Sequence, residues 1–471
     1  MQRSIMAAPH HPTFPAATHR VGATHSFGNL KLIDHWFTVP ATHGLVYGKG
    51  ADAAASSRFA PHSITIFARE IIDTSSALTS EVESRPYMVY LQGGPGGKSP
   101  RPVSDGGWVA ELAKTHRLVL LDQRGTGNST PLTARTLSAL GSSDIQAEYC
   151  ELFRADSIIA DAEVVRGFLL ADRSDQRWST MGQSYGGFLT LSYLSFAPES
   201  IKDSRMTAGL APIRAHVDEV YRHTYERVAE RNREYYGWYP EDEELAVRIA
   251  DHLAHREELL PTGERLTPHR FQMLGHLLGG NGRVHGLHYI LESAFAESGQ
   301  WLSDQFLADV NALVSFQGNP LYALMHETIY ADGTDSPSAS PTSWSAARMH
   351  SEREDFAPDA TTLLFTGEHI FPWYYQEDPA LRPLAEVAEI LAQKDDWGRL
   401  YDHQQLAANQ VPLVAAAYVP DIYVDYQHSM ATADWVGNTL VWTSQTHHHD
   451  GLGQDGTLIL GHLKNLLADM C

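Results

Sequence analysis

The sequence predicts an α/β chain: a mostly parallel central sheet, crossed by helices and interrupted by a large helical insertion. Three observations carry that reading. First, short apolar runs end in turn residues: Tyr87-Met88-Val89-Tyr90-Leu91 before a glycine cluster, 117–121 before Asp122-Gln123-Arg124-Gly125, and 178–181 before Gly182-Gln183-Ser184. Second, helical stretches at 156–171 and 188–196 alternate with these runs. Strands apolar on both faces need cover on both sides, and parallel neighbours need crossover helices. Third, from about 215 to 360 the strand grammar gives way to amphipathic helix, as at 217–236 and 241–260, and resumes at 411–418 and 440–443.

Taken in order, residues 1–28 are expected to form a flexible N-terminal arm, rich in His, Pro and Ala at its start. Two alternating runs, 32–39 and 63–70, predict antiparallel strands. The core is expected over 29–214 and again over 401–471, with a helical cap over 215–400 lying across the strand ends. The segment 332–342, dense in Asp, Gly, Ser and Pro, is expected to be the most loop-like part of that cap.

Composition bounds the function. The chain has 471 residues, 43% hydrophobic and 20% charged, with a formal net charge of −22. Such an acidic balance argues against a nucleic-acid partner or an anionic membrane surface. Two cysteines, Cys150 and Cys471, build no disulfide framework, as expected in a reducing compartment. Residues 1–20 show no apolar signal segment and no run reaches the length of a membrane span, so a cytoplasmic location is expected.

Gly182-Gln183-Ser184-Tyr185-Gly186 fits G-x-S-x-G between an apolar strand and a helix. In that context the serine sits on a sharp turn as a nucleophile, and the Tyr185 N–H, opening the next helix, points at a developing oxyanion. A serine needs a base, and the base needs an orienting acid. On α/β-hydrolase folds these follow in the order Ser, acid, His. Asp421 follows the run ending at Tyr418-Val419-Pro420, and the last strand leads into His447-His448-His449. Adjacent histidines on a loop point in different directions, and zinc ligands are usually spaced by two or more residues. One of the three is therefore read as the base, the other two as facing solvent, and none as a metal ligand.

Gly93-Gly94-Pro95-Gly96-Gly97, Asp122-Gln123-Arg124-Gly125-Thr126-Gly127-Asn128-Ser129 and Gly182-Gln183-Ser184-Tyr185-Gly186-Gly187, in this order and spacing, resemble the proline iminopeptidase (prolyl aminopeptidase) family of α/β-hydrolases, in its longer bacterial and fungal form. The likeness runs from about Leu30 to the end. Gln92 stands where the family often has His. The resemblance implies an α/β-hydrolase fold with a large helical cap between core strands. It selects His449, in His449-Asp450-Gly451-Leu452, as the base, and adds the Gly93 and Gly94 backbone to the oxyanion hole. Arg124 is read as structural, bonding nearby carbonyls or carboxylates. The resemblance also implies cap glutamates that hold a free amine: Glu368, before His369 and aromatics, and Glu327, in an apolar helical run. Phe371, Trp373 and Tyr374, with Phe188 beside the nucleophile, are candidates for the wall that receives a proline ring.

The expected activity is that of a serine exopeptidase. Ser184 attacks the prolyl carbonyl, His449 relays the proton, Asp421 orients His449, and no metal or organic cofactor is required. Its partners are peptides with a free N-terminus. The alternatives are an esterase or amidase on small neutral substrates and a non-catalytic binding protein on the same fold.

Overall fold

The computed structural model describes residues 17–43, 57–75, 79–333, 336 and 341–470. Its strands are β1 (Thr18–Phe27), β2 (Leu30–Pro40), β3 (Ser63–Asp73), β4 (Tyr87–Leu91), β5 (Arg117–Asp122), β6 (Trp178–Gln183), β7 (Ile201–Thr207), β8 (Leu413–Tyr418) and β9 (Thr439–Ser444). They form one sheet in the order β1-β2-β3-β5-β4-β6-β7-β8-β9. β1, β2, β3 and β5 pair antiparallel, and every pairing from β5 to β9 is parallel.

The period of two along the central strands sorts side chains onto two faces. Val89, Leu91, Val119 and Leu121 join one apolar cluster with the helices Ala155–Leu169 and Tyr185–Phe196. Met88, Tyr90, Leu118 and Leu120 join another, with the helices Gly107–Ala113 and Gly451–Asp469. Both faces are thus covered, which is why these strands read as unbroken apolar runs. The first cluster continues into residues 217–406, so sheet and insertion share one core.

Between β7 and β8 the chain makes helices and turns, opening with the helices Val217–Trp238 and Pro240–His255. Most of the expected loop at 332–342 lies outside the described residues. The expected arm is corrected in part: residues 1–16 lie outside the described residues, but Thr18–Phe27 is the edge strand β1. Most of its side chains are exposed on both faces, so it lacks the apolar alternation that marks a half-buried strand. Among the described residues no helix is long and apolar enough to cross a membrane.

Arg124 behaves as the sequence implies. Its guanidinium donates to the Ala41 and Leu152 carbonyls at 2.8 and 2.7 Å and to both Asp161 oxygens at 2.7 Å. That network ties the turn after β5 to the covering helix Ala155–Leu169.

Candidate active site

β6 delivers Ser184 into a backbone conformation few residues tolerate, with φ 57° and ψ −128°. The turn closes because its neighbours are glycines. A Cβ on Gly186 would stand 1.8 Å from the Leu91 carbonyl oxygen, which no side chain could survive. Strain held in this way at a strand-to-helix turn projects the hydroxyl beyond the strand ends. Ser184 is the residue preceding the helix Tyr185–Phe196, whose first N–H groups have no carbonyl partner one turn back.

The loop after β4 meets this turn. A Cβ on Gly93 would lie 2.8 Å from the Ser184 Cβ and 3.4 Å from its hydroxyl oxygen, so only glycine lets the Gly93-Gly94 backbone approach the serine. On its other side the loop meets the insertion, where a Cβ on Gly96 would strike Asn319 and the Tyr322 backbone.

β8 and β9 deliver the other two groups. Asp421 Oδ1 accepts the Tyr423 and Val424 N–H groups at 2.8 and 3.1 Å, and its Oδ2 accepts from His449 Nδ1 at 2.8 Å. Both side chains are buried. That bond puts the proton on Nδ1 and leaves Nε2 free to accept one. Burial disfavours the imidazolium, but Asp421 and then Glu368 outweigh it and hold His449 above its ordinary value. The Tyr423 ring stands edge-on to the His449 ring at 4.9 Å and fixes its plane.

The other two histidines do not face solvent. His448 is buried, its backbone N–H donating to Asn281 of the insertion at 2.7 Å. His447 Nδ1 bonds the Ser444 hydroxyl at 2.7 Å, and its ring packs near Tyr418 and Trp442. The loop is pressed between the sheet and the insertion, a tertiary contact that local sequence does not announce.

The two glutamates part company. Glu368 faces the Tyr322 hydroxyl and lies within electrostatic reach of His449 and Asp421. Burial raises its pKa above the ordinary carboxylate value, against the pull of His449. Glu327 is buried and engaged elsewhere: its oxygens accept the Ser345 and Ala346 N–H groups at 3.2 and 2.9 Å, at the start of the helix Ser345–His350. Burial pushes Glu327 up to about 7, although these N–H groups favour its charge.

The aromatic candidates also divide. Phe371, Trp373 and Tyr374 pack on one another, with ring centroids 4.3–5.6 Å apart, and on His269, His350 and Phe316 of the insertion. Phe188 instead touches Tyr185 and Tyr330, and Tyr330 touches Tyr221, with centroids near 6 Å. Tyr330 in turn feels Glu368 and Asp421. Tyr221, Tyr322, Tyr330 and Tyr423 are the site residues that the sequence reading did not single out. Tyr330 and Tyr423 stood two or three residues from Glu327 and Asp421, and that proximity was their only local signal.

The alpha/beta hydrolase fold profile matches residues 86–235, a stretch that includes β4 through β7 and the elbow. Over its length the chain is 41% identical to a proline iminopeptidase of Aeromonas sobria, covering 92% of this chain and 96% of that one. The chain belongs to the proline iminopeptidase family. A second family member, the proline iminopeptidase aneH of Aspergillus aculeatus, is 34% identical, over 86% of this chain and 90% of its own. Within this family fold, the Ser184 elbow and the Asp421–His449 pair come from the sheet, whereas Glu368 and Tyr322 come from the insertion.

Proposed function

We propose that this chain is a prolyl aminopeptidase, a serine hydrolase that releases N-terminal proline from peptides. The observation that carries the reading is Glu368, a carboxylate of the insertion enclosed within electrostatic reach of the His449–Asp421 pair. A secondary ammonium bound there restores the charge that burial disfavours, and it sets the carbonyl of the same residue over the nucleophile. The Phe188 and Tyr330 rings then bound the space for a pyrrolidine ring.

Ser184 attacks the prolyl carbonyl as His449 Nε2 takes its proton, and Asp421 stabilises the resulting imidazolium. The oxyanion is met by the Tyr185 N–H and by an N–H of Gly93-Gly94. His449 protonates the leaving amine, and water, deprotonated by the same imidazole, releases proline from the acyl-enzyme. In our reading Glu368 anchors the amine, and Glu327 supports the insertion around it. Peptides with a free N-terminus are the partners. The buried free thiol of Cys150 supports a reducing, cytoplasmic setting.

Release of a chromogenic amine from prolyl, alanyl and N-acetyl-prolyl anilides, with Ser184→Ala as control, tests the proposal. Fast turnover of free prolyl anilide, lost in the variant, is the expected result. Equal turnover of the blocked substrate would assign a general esterase or amidase instead.

A further inference from the structure

Away from the site just described, the insertion and the core bring three metal-ligating side chains together. Glu219 and His223 stand four residues apart on the helix Val217–Trp238, so they share one face. His428 comes from the helix Tyr426–Trp435, which follows β8 and the Asp421 turn. One ligand atom of each lies within 4.8 Å of the other two. The His223 and His428 rings lie 4.6 Å apart.

Two further observations point to a ligand. His428 Nε2 is buried and has no hydrogen-bond partner among the described residues, so this ring nitrogen is open to a ligand. Meanwhile His223 Nδ1 is 3.4 Å from Asp425 Oδ1. A carboxylate behind one ring nitrogen, leaving the other free, is the usual outer support of a metal-bound histidine. Asp425 is itself fixed by the Gln427 and His428 N–H groups at 2.9 and 3.1 Å. The nearby cation, Arg227, is already engaged by Asp425 and Glu230.

We propose that Glu219, His223 and His428 form a binding site for a divalent transition ion of the zinc type, clipping the first helix of the insertion to the core. Two imidazoles and one carboxylate, completed by water, suit a tetrahedral ion of borderline softness. Bonds of about 2.1 Å place tetrahedral ligands about 3.4 Å apart, so the donors must draw in by at most about 1.4 Å. The exposed Glu219 side chain has the freedom to do this. The ion has no part in the hydrolysis; it fastens the junction that carries Tyr221 on one side and Asp421 on the other.

Zinc titration of the full chain by calorimetry tests this, with His223→Ala, His428→Ala and Glu219→Gln as variants. His255→Ala, an exposed histidine elsewhere, is the control. The expected result is one ion per chain, weakened about tenfold or more in each cluster variant and unchanged in the control. Thermal melting should show a zinc-dependent rise in Tm that disappears with the same variants. The chain has 25 histidines, so weak background binding is expected, and the difference between variants is the readout. Glu219 is exposed, so its variant keeps the test decisive if a histidine variant fails to fold. Wild-type binding no tighter than about 100 µM, or binding unaffected by the cluster substitutions, would overturn the proposal.

Discussion

Asp421 at the end of β8 and Glu368 in the insertion are carboxylates of one site, and they are held in contrasting ways. Asp421 accepts two backbone N–H groups and the His449 ring, so its charge is matched before any substrate arrives. Glu368 faces a tyrosine hydroxyl and is pushed toward its neutral form by burial. The sheet thus supplies groups whose geometry is complete at rest. The insertion supplies a group that, in the proposed function, has its charge completed by the bound amine. Under the proposed function, the difference teaches a division of labour: the reaction belongs to the sheet, and the choice of substrate belongs to the insertion.

That contrast can be broken from either side. The largest effect is expected from Asp421→Asn, which keeps the shape but loses the tautomer control and the stabilised imidazolium. Turnover of prolyl anilide should fall by roughly 10^4-fold with KM nearly unchanged. Asp421 is also what lifts the His449 pKa against burial, so the acidic limb of the remaining activity should move to lower pH. A smaller effect is expected from Tyr322→Phe, which removes the hydroxyl facing Glu368. KM for free prolyl anilide should rise about tenfold, with kcat little changed. The hydroxyl favours the charged form of Glu368, so in the variant the rise in KM on acidification should begin at higher pH.

The smallest catalytic effect is expected from Glu327→Gln, whose signature is stability. In the folded chain Glu327 keeps its proton up to about pH 7, whereas an unfolded glutamate releases it near 4.5. Between these values the folded state binds more protons, so rising pH favours unfolding, by at most about 3 kcal/mol. The variant loses one acceptor for the Ser345 and Ala346 N–H groups. It should be less stable than wild type by about 1 kcal/mol at pH 5, and the deficit should shrink as pH rises from 5 and reverse in sign by about pH 7. Denaturant melts at the two pH values check this.

What the sequence made legible follows the same division. The elbow, the Asp421 turn and the His449 loop were readable because each is a local pattern at the end of an apolar strand. Glu327 was not, because its partners Ser345 and Ala346 are 18 and 19 residues further on and meet it only after the insertion folds. His448 was misread for the same reason, since Asn281 lies 167 residues away. The strand β1 escaped because an exposed edge strand carries no burial pattern. Phe371, Trp373 and Tyr374 were legible as aromatic but not as self-packed, since composition says nothing about which rings meet.

The most direct test of the division is the ratio of kcat/KM for free prolyl anilide to that for N-acetyl-prolyl anilide, in wild type and in Glu368→Gln. Loss of the carboxylate from an ammonium site should lower the free-substrate value by about 10^2-fold or more and leave the blocked substrate nearly untouched, so the ratio collapses. A ratio unchanged by Glu368→Gln would contradict the account, because the amine would then be chosen without the insertion's carboxylate.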